Sequence, residues 1–402
     1  MRCIGLVALS LAAWVAVPTV TVAAETTWQP DHEKTWQGCD GQPRPGPKAV
    51  YDGLRLVFAP MLAIGSQLSS TLPPPVGLAE GRQGVEACRA AMADGRSREW
   101  PERRAMQHFA YAIHLLDAVL RGEGDAADLQ AAKSAWLSDP NANASNPRVR
   151  WLVEPYFDLM LAVAAAQRGD SGTAGTLENV MRRRAGSHTL ASLAAEAALS
   201  EGMPVDVRNR VWWSSAAYDP RRLMSAAGMT EARSTAYLPT RDMLRQSLLP
   251  ALLYQLATPV YASGPLVYKP SADGDAEGYS AKTDARGQMV VSYRVKGAPA
   301  PLATEFATFR AAELAREAGK THFLVQSVSA LGKVMRQFES SGLSVDSQPL
   351  EVTIEMTVVF GNPGSETVSA LPAVLRDPRL WLSVDAVLGS LDASPFKAAA
   401  KS

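Results

Sequence analysis

The sequence has little cysteine, little histidine and no net charge. Its 402 residues include three cysteines and five histidines, and 40 basic residues balance 40 acidic ones. A balanced charge argues against a nucleic-acid partner and against a general attraction to anionic membranes. The sequence also lacks a Gly-x-Ser-x-Gly elbow, a phosphate loop, a His-Glu-x-x-His motif and a dinucleotide fingerprint. We therefore expect a protein that is not an enzyme and needs no cofactor.

Long apolar runs are absent except at the N-terminus. Residues 1–2 form a short basic start, and the apolar run at residues 4–17 is too short to span a bilayer comfortably. Residues 22–24 are small, as a signal peptidase requires, so we expect cleavage after Ala24 and a periplasmic protein. Cys3 precedes the apolar run and so cannot be a lipid-modified cysteine. An uncleaved anchor helix is the alternative.

Cleavage after Ala24 would leave two cysteines, Cys39 and Cys88. An oxidising compartment favours a disulfide between them, which would tether the N-terminal segment to the rest of the chain. The alternatives are two buried free thiols or a metal site that recruits neighbouring side chains. Those side chains are Asp31, His32 and Glu33. Because one histidine and two distant cysteines match no known ligand spacing, we expect no metal.

Amphipathic helices are expected across the first two thirds of the chain. The apolar stripes are Met106, Phe109, Ile113, Leu116 and Leu120, and then Leu152, Tyr156, Leu159, Val163 and Ala166. Each stripe is followed by a Gly-Asp turn, at Gly124-Asp125 and at Gly169-Asp170. A residue that tolerates positive φ, followed by an N-cap, is what a helical hairpin needs. The pattern predicts a hairpin array that resembles tetratricopeptide repeats, with a kink or a late helix start at Pro155.

An irregular helical bundle is the alternative to the repeat array, because the offset between the turns exceeds the family period of about 34 residues. Only the repeat array predicts a concave binding face, lined by the first helix of each hairpin. The polar residues beside the stripes would then contact a partner, and they are Gln107, His114 and Asp158. His108 and His114 are six residues apart, about 120° around a helix, so they do not share a metal-binding face.

The last third of the chain has the pattern of a small antiparallel sheet. Residues 289–295 and 351–360 alternate strictly between apolar and polar side chains, as strands with one buried face do. Residues 302–318 between them have the spacing of an amphipathic helix, and Gly319 is placed to end it. We expect an α+β protein in which a helical hairpin array precedes a small antiparallel sheet domain covered by that helix.

Three phrases in this domain resemble the signature of an uncharacterised family of Gram-negative envelope proteins, many of them lipoproteins. They are GYS at residues 278–280, FRAAELA at 309–315 and GKTHFLV at 319–325. The resemblance covers roughly the last 140 residues. It implies an α+β module, a cell-envelope location and, in some relatives, tetratricopeptide-like helices upstream, but no catalytic residues. The chain departs from the family at residues 326–327 and 339–348, where an Asp-Arg pair and a Tyr/Gly-rich loop are replaced.

These patterns divide the chain into a signal peptide (1–24), an N-terminal extension with a first helix (25–76), a helical-repeat domain (77–257) and an α+β domain (258–402). We expect a periplasmic protein that binds a protein or peptide of the cell envelope in the groove of the repeats. It should have no nucleic-acid partner and no membrane span after signal cleavage. An envelope hydrolase with an unrecognised site and a purely structural envelope component are the alternatives.

Other charged and aromatic clusters are expected to be structural. The run at residues 182–184, three arginines, has the composition of a solvent-exposed helix end more than of a phosphate site. Glu305 and Glu313 are expected to form surface ion pairs with nearby arginines. The aromatic clusters expected to pack rather than to bind are Trp100 with Arg103 and Arg104, and the tandem Trp212-Trp213.

Overall fold

The structure is a computed structural model. It describes residues 30–42, 44, 77–168, 172–198, 241–253, 255, 266–272, 277–285, 287–296, 300–338, 345–362, 364–369, 371 and 373–397. The expected signal peptide, the second Gly-Asp turn and the tandem tryptophans lie outside these residues. The described helices are α1 (Pro30–Asp40), α2 (Gly81–Ala93), α3 (Pro101–Arg121), α4 (Ala126–Ser138), α5 (Pro147–Ala166), α6 (Thr173–Arg183), α7 (His188–Ala198), α8 (Arg241–Leu253), α9 (Ala300–Glu317), α10 (Glu366–Ser369) and α11 (Val384–Asp392). The strands are β1 (Gly278–Thr283), β2 (Met289–Lys296), β3 (His322–Phe338), β4 (Val345–Gly361) and β5 (Leu382–Ser383).

The helical part is arranged around α3. This helix contacts α1, α2, α4, α5 and α8, and it is therefore enclosed by neighbours on several sides. In a repeat stack each unit contacts only the units next to it, so the central position of α3 favours the bundle. The disulfide between Cys39 and Cys88 joins α1 to α2 and confirms the predicted pairing.

Local signals set several helix ends. Asp125 caps α4, because its carboxylate accepts a hydrogen bond from the backbone N–H of Ala127 at 2.8 Å. The left-handed residue of this turn is Gly122, with φ 78°, rather than Gly124. Helix α5 begins at Pro147, after the N-cap Asn146, and continues through Pro155. Of the two outcomes predicted at that proline, a kink or a late start, the late start is therefore wrong.

The sheet is antiparallel throughout, with strand order β1-β2-β4-β3-β5. One face is apolar and buried, as the alternation predicted, and Tyr293 on β2 is in register with Ile354 on β4. Helix α9 covers this face, and its Phe306 ring meets the Tyr293 ring edge to face at 4.9 Å between centroids. Gly319 ends the helix with φ 68°. The α+β fold and the helical cover are therefore confirmed.

Helix α9 also packs against the helical part. Gly186, just after α6, lies so close to the Phe309 ring that a Cβ there would stand 2.4 Å from Cε1. Helix α11 contacts α6 and α9, and the Ser390 hydroxyl donates to the carbonyl oxygen of Arg183 at 3.2 Å. One hydrophobic cluster runs through the bundle and the sheet. The described helices include none with both the length and the apolar character to cross a membrane.

Candidate functional site

Two of the three predicted binding residues, Gln107 and His114, are buried. The Ser97 hydroxyl donates to Gln107 Oε1 at 2.6 Å. His114 Nε2 lies 2.8 Å from the backbone carbonyl oxygen of Cys39, and burial lowers the pKa of its imidazole. Gly84 on α2 allows this approach, since a Cβ there would lie 2.2 Å from His114 Nδ1. The expectation that both side chains face a partner is corrected: α3 is enclosed, and its polar side chains bond within the bundle.

Asp158, the third predicted binding residue, is half-buried in a network of charged groups. Its carboxylate contacts Lys133 Nζ at 2.5 Å and Arg183 Nη1 at 2.7 Å. Glu154, one turn earlier on α5, contacts the same two cations at 3.3 Å each. This network ties α4, α5 and α6 together, so Asp158 has a structural partner on each side.

The arginines beside Trp100 pair within the protein, as the packing interpretation expected. Arg103 forms an ion pair with Asp40 at 2.5 Å, and Arg104 forms one with Asp139, also at 2.5 Å. His108 Nε2 lies 3.0 Å from the Asp139 carboxylate. Partial burial alone would raise the pKa of Asp139, but hydrogen bonds from His108, the backbone and Arg104 lower it to about 2. Within the described ranges no three His, Cys, Asp or Glu residues are grouped to hold a metal.

A cleft of about 540 Å³ opens where the helical bundle meets α11. We call it the junction cleft. Its lining residues are Trp151, Arg182, Arg183, Asp385, Ala386, Gly389, Ser390 and Ala393. Three elements supply them: α5 gives the tryptophan, the C-terminal end of α6 gives the arginines, and α11 with its C-cap Ala393 gives the rest. Small residues recur along the α11 wall at helical spacing, so that wall leaves room for a ligand.

The lining of the junction cleft includes charges of both signs, and we call Arg182 its cationic rim and Asp385 its anionic rim. Arg182 and Asp385 are exposed, whereas Arg183 is held by the carboxylates of Glu154 and Asp158. Arg182 donates a hydrogen bond to the side-chain oxygen of Asn179 at 2.9 Å. The half-buried Trp151 ring supplies a flat apolar wall, a type of surface enriched in binding sites.

A buried ion pair lies behind Trp151. Arg184 Nε donates to Glu305 Oε1 at 3.2 Å, and Arg184 Nη2 bonds the other carboxylate oxygen. The guanidinium also donates to the carbonyl oxygen of Leu152 at 3.2 Å and lies 4.4 Å from the centre of the Trp151 ring. Both charged side chains are buried. Since Arg184 follows α6 and Glu305 is on α9, the pair joins the bundle to the cover of the sheet.

The expectations for these charged residues are corrected in part. Arg182 and Arg183 do form an exposed helix end, but Arg184 is buried. Glu313 does pair with Arg310 at 2.9 Å, whereas Glu305 is fully buried. The sequence contains a signal for the burial of Arg184 and Glu305. Arg184 continues the apolar stripe of Leu177 and Val180, and Glu305 lies between Leu302 and Phe309 on the stripe of α9.

No protein-family profile, curated protein sequence or solved structure matches this chain.

Proposed function

We propose that this protein is an exported, non-enzymatic binding protein of the cell envelope, and that it holds a peptide or an exposed protein segment in the junction cleft. The observation that carries the proposal is the cleft itself, in which an aromatic wall, a cationic rim and an anionic rim come from three different elements. We do not place the site in the predicted helical groove, because Gln107 and His114, two of the three residues predicted to line it, are buried.

The chemistry of the lining favours binding over catalysis. An arginine stays protonated and does not act as a general acid or base at neutral pH. The hydroxyl of Ser390 donates to a backbone carbonyl oxygen, whereas a nucleophilic serine needs a neighbouring base. What the cleft offers a ligand is charge complementarity from Arg182 and Asp385 and apolar contact with Trp151 and the alanines.

Export is supported by the N-terminal sequence and by the disulfide, since disulfides persist in oxidising compartments. The resemblance of the last 140 residues or so to envelope proteins points to the same location. Cell fractionation, with N-terminal sequencing of the mature protein, tests the location and the cleavage site. A protein that keeps its first 24 residues in the cytoplasm would refute export.

The binding role is tested by photo-crosslinking in cells. A photoreactive amino acid replaces Ala386, an exposed residue in the first turns of α11, and the control replaces Ala127, an exposed residue in the first turn of α4. We expect envelope adducts at position 386 only, and we expect Arg182→Glu to abolish them. Equal adducts at both positions, or adducts that Arg182→Glu leaves unchanged, would refute the cleft as the binding site.

A further inference from the structure

The junction cleft carries one charge of each sign that has no ionic partner among the described residues. Arg182 is exposed, and its guanidinium bonds the uncharged amide of Asn179. Asp385 is exposed in the first turn of α11, and no basic group of the described chain lies within ion-pair distance of it. Neither residue pairs with the other, although both line one cleft. The two rims therefore present an available cation and an available anion.

The rest of the cleft lining is largely apolar. Trp151 forms one wall, and the exposed residues Ala386 and Gly389 of α11, with Ala393 just after it, form part of the other. At Gly389 a Cβ would meet no atom within 4 Å, so the wall stays open at that position. The volume of about 540 Å³ is within the range of about 300–1,000 Å³ that is typical of small-ligand pockets.

We propose that the junction cleft binds short zwitterionic peptides, with the terminal carboxylate on Arg182 and the terminal ammonium on Asp385. This assignment rests on the proposed binding function and names its ligand class. An arginine fork matches both oxygens of a carboxylate, and an aspartate accepts from an ammonium group. The side chains of the peptide would lie between the Trp151 ring and the small residues of α11.

The same charges distinguish a short peptide from a segment inside a protein chain. An internal segment has no terminal ammonium and no terminal carboxylate, so it pairs with both rim charges only where a lysine and an acidic side chain are suitably placed. A free peptide with both termini satisfies Arg182 and Asp385 together. The ligand class is therefore defined by its termini, and its sequence is read only by the apolar part of the cleft.

Calorimetry with capped peptides tests this assignment on the protein lacking residues 1–24. The probes are the tripeptides Ala-Leu-Ala, Ala-Phe-Ala and Ala-Lys-Ala, each free, N-acetylated and C-amidated. We expect the free forms to bind and each cap to weaken binding about tenfold. Asp385→Asn should make acetylation irrelevant while amidation still weakens binding, and Arg182→Met should have the reverse effect.

The controls are matched by position. Asp128→Asn changes an exposed aspartate in the first turn of α4, and Arg98→Met changes an exposed arginine outside the cleft. Both should leave binding and the effect of the caps unchanged. Caps without effect on wild-type binding would overturn the assignment. So would failure of all three tripeptides to bind while crosslinking at Ala386 persists, and that result would leave the binding function in place. Loss of both signals would overturn both.

Discussion

Replacing Glu305 with glutamine tests the buried ion pair that joins the bundle to the sheet. Glutamine keeps the shape of the side chain but removes the charge that balances Arg184, which is only 4 % exposed. An arginine left buried without its carboxylate lowers the free energy of unfolding by about 3–5 kcal/mol. The free energy of unfolding of a whole protein domain is about 5–15 kcal/mol, so the variant should lose a large part of its stability.

Removing Arg184, the other partner of the ion pair, should change how the free energy of unfolding depends on pH. Burial raises the pKa of Glu305, and Arg184 opposes that rise. The Arg184→Met variant lacks the charge that lowers the pKa of Glu305. The folded-state pKa of Glu305 therefore lies further above its unfolded-state value of about 4.3. A carboxyl group with a raised folded-state pKa stabilises the folded protein most below the unfolded-state pKa. This stabilisation is lost as the pH rises through the folded-state pKa. Arg184→Met should therefore be less stable at pH 8 than at pH 5, relative to wild type.

Urea unfolding at pH 5 and pH 8 measures both effects. The double variant Arg184→Met with Glu305→Leu removes both charges and should recover most of the loss. Glu317→Gln is the control, because Glu317 is on the same helix and pairs with Arg310 but is 59 % exposed. It should change the free energy of unfolding by less than about 1 kcal/mol. If Glu305→Gln has no larger effect than Glu317→Gln, the pair does not stabilise the junction as argued.

Three further changes test other contacts. Reducing the disulfide between Cys39 and Cys88 should lower the free energy of unfolding by about 4 kcal/mol, and thiol alkylation with mass measurement should label these cysteines only after reduction. Hydrogen bonds hold the pKa of Asp139 at about 2, below its unfolded value. The stability that Asp139 contributes above about pH 4 should therefore be lost as the pH falls towards 2. The Asp139→Asn variant should not show this part of the pH dependence. Gly186→Ala should lower stability by about 1–3 kcal/mol through contact with Phe309, and Phe309→Leu should recover part of it in the double variant.

Each of these predictions has a contrary outcome. Two thiols that react before reduction would contradict the disulfide. An Asp139→Asn variant that loses stability between pH 4 and pH 2 as steeply as wild type would show that other carboxyl groups dominate acid unfolding. A Gly186→Ala variant as stable as wild type would mean that the Phe309 ring moves without penalty.

The sequence predicts those parts of the fold that depend only on a short segment of the chain. Strict alternation over residues 289–295 and 351–360 specifies which face of each strand is buried, and both predictions are confirmed. Gly319 is a second example, because few other residues adopt the left-handed conformation that ends α9. Such signals depend on the backbone and on the nearest neighbours in the chain, so the sequence alone contains them.

The spacing of apolar residues along a helix does not predict how many sides of that helix pack against neighbours. The stripe on α3 identifies one buried face, and Gln107 and His114 lie beside it, where a helix at the surface would be exposed. In the structure the neighbours of α3 also enclose these flanking residues. Gln107 Oε1 accepts a hydrogen bond from Ser97, and His114 Nε2 bonds the backbone of Cys39. The prediction that Gln107 and His114 face a groove is wrong because the number of neighbours around a helix is a tertiary property.

The sequence contains a signal for the buried pair of Arg184 and Glu305. Arg184 continues the apolar stripe of α6 just after the helix ends, and Glu305 occupies an apolar stripe on α9, 121 residues later. A charge on a buried stripe needs an opposite charge nearby, because an isolated ion in the interior is strongly unfavourable. Two stripes with one charge each, of opposite sign, therefore predict that their helices meet. The rim of the junction cleft lies beside that meeting point, since Trp151 contacts the guanidinium of Arg184 and lines the cleft. The contact that brings the bundle to the sheet thus also sets the position of the proposed binding site.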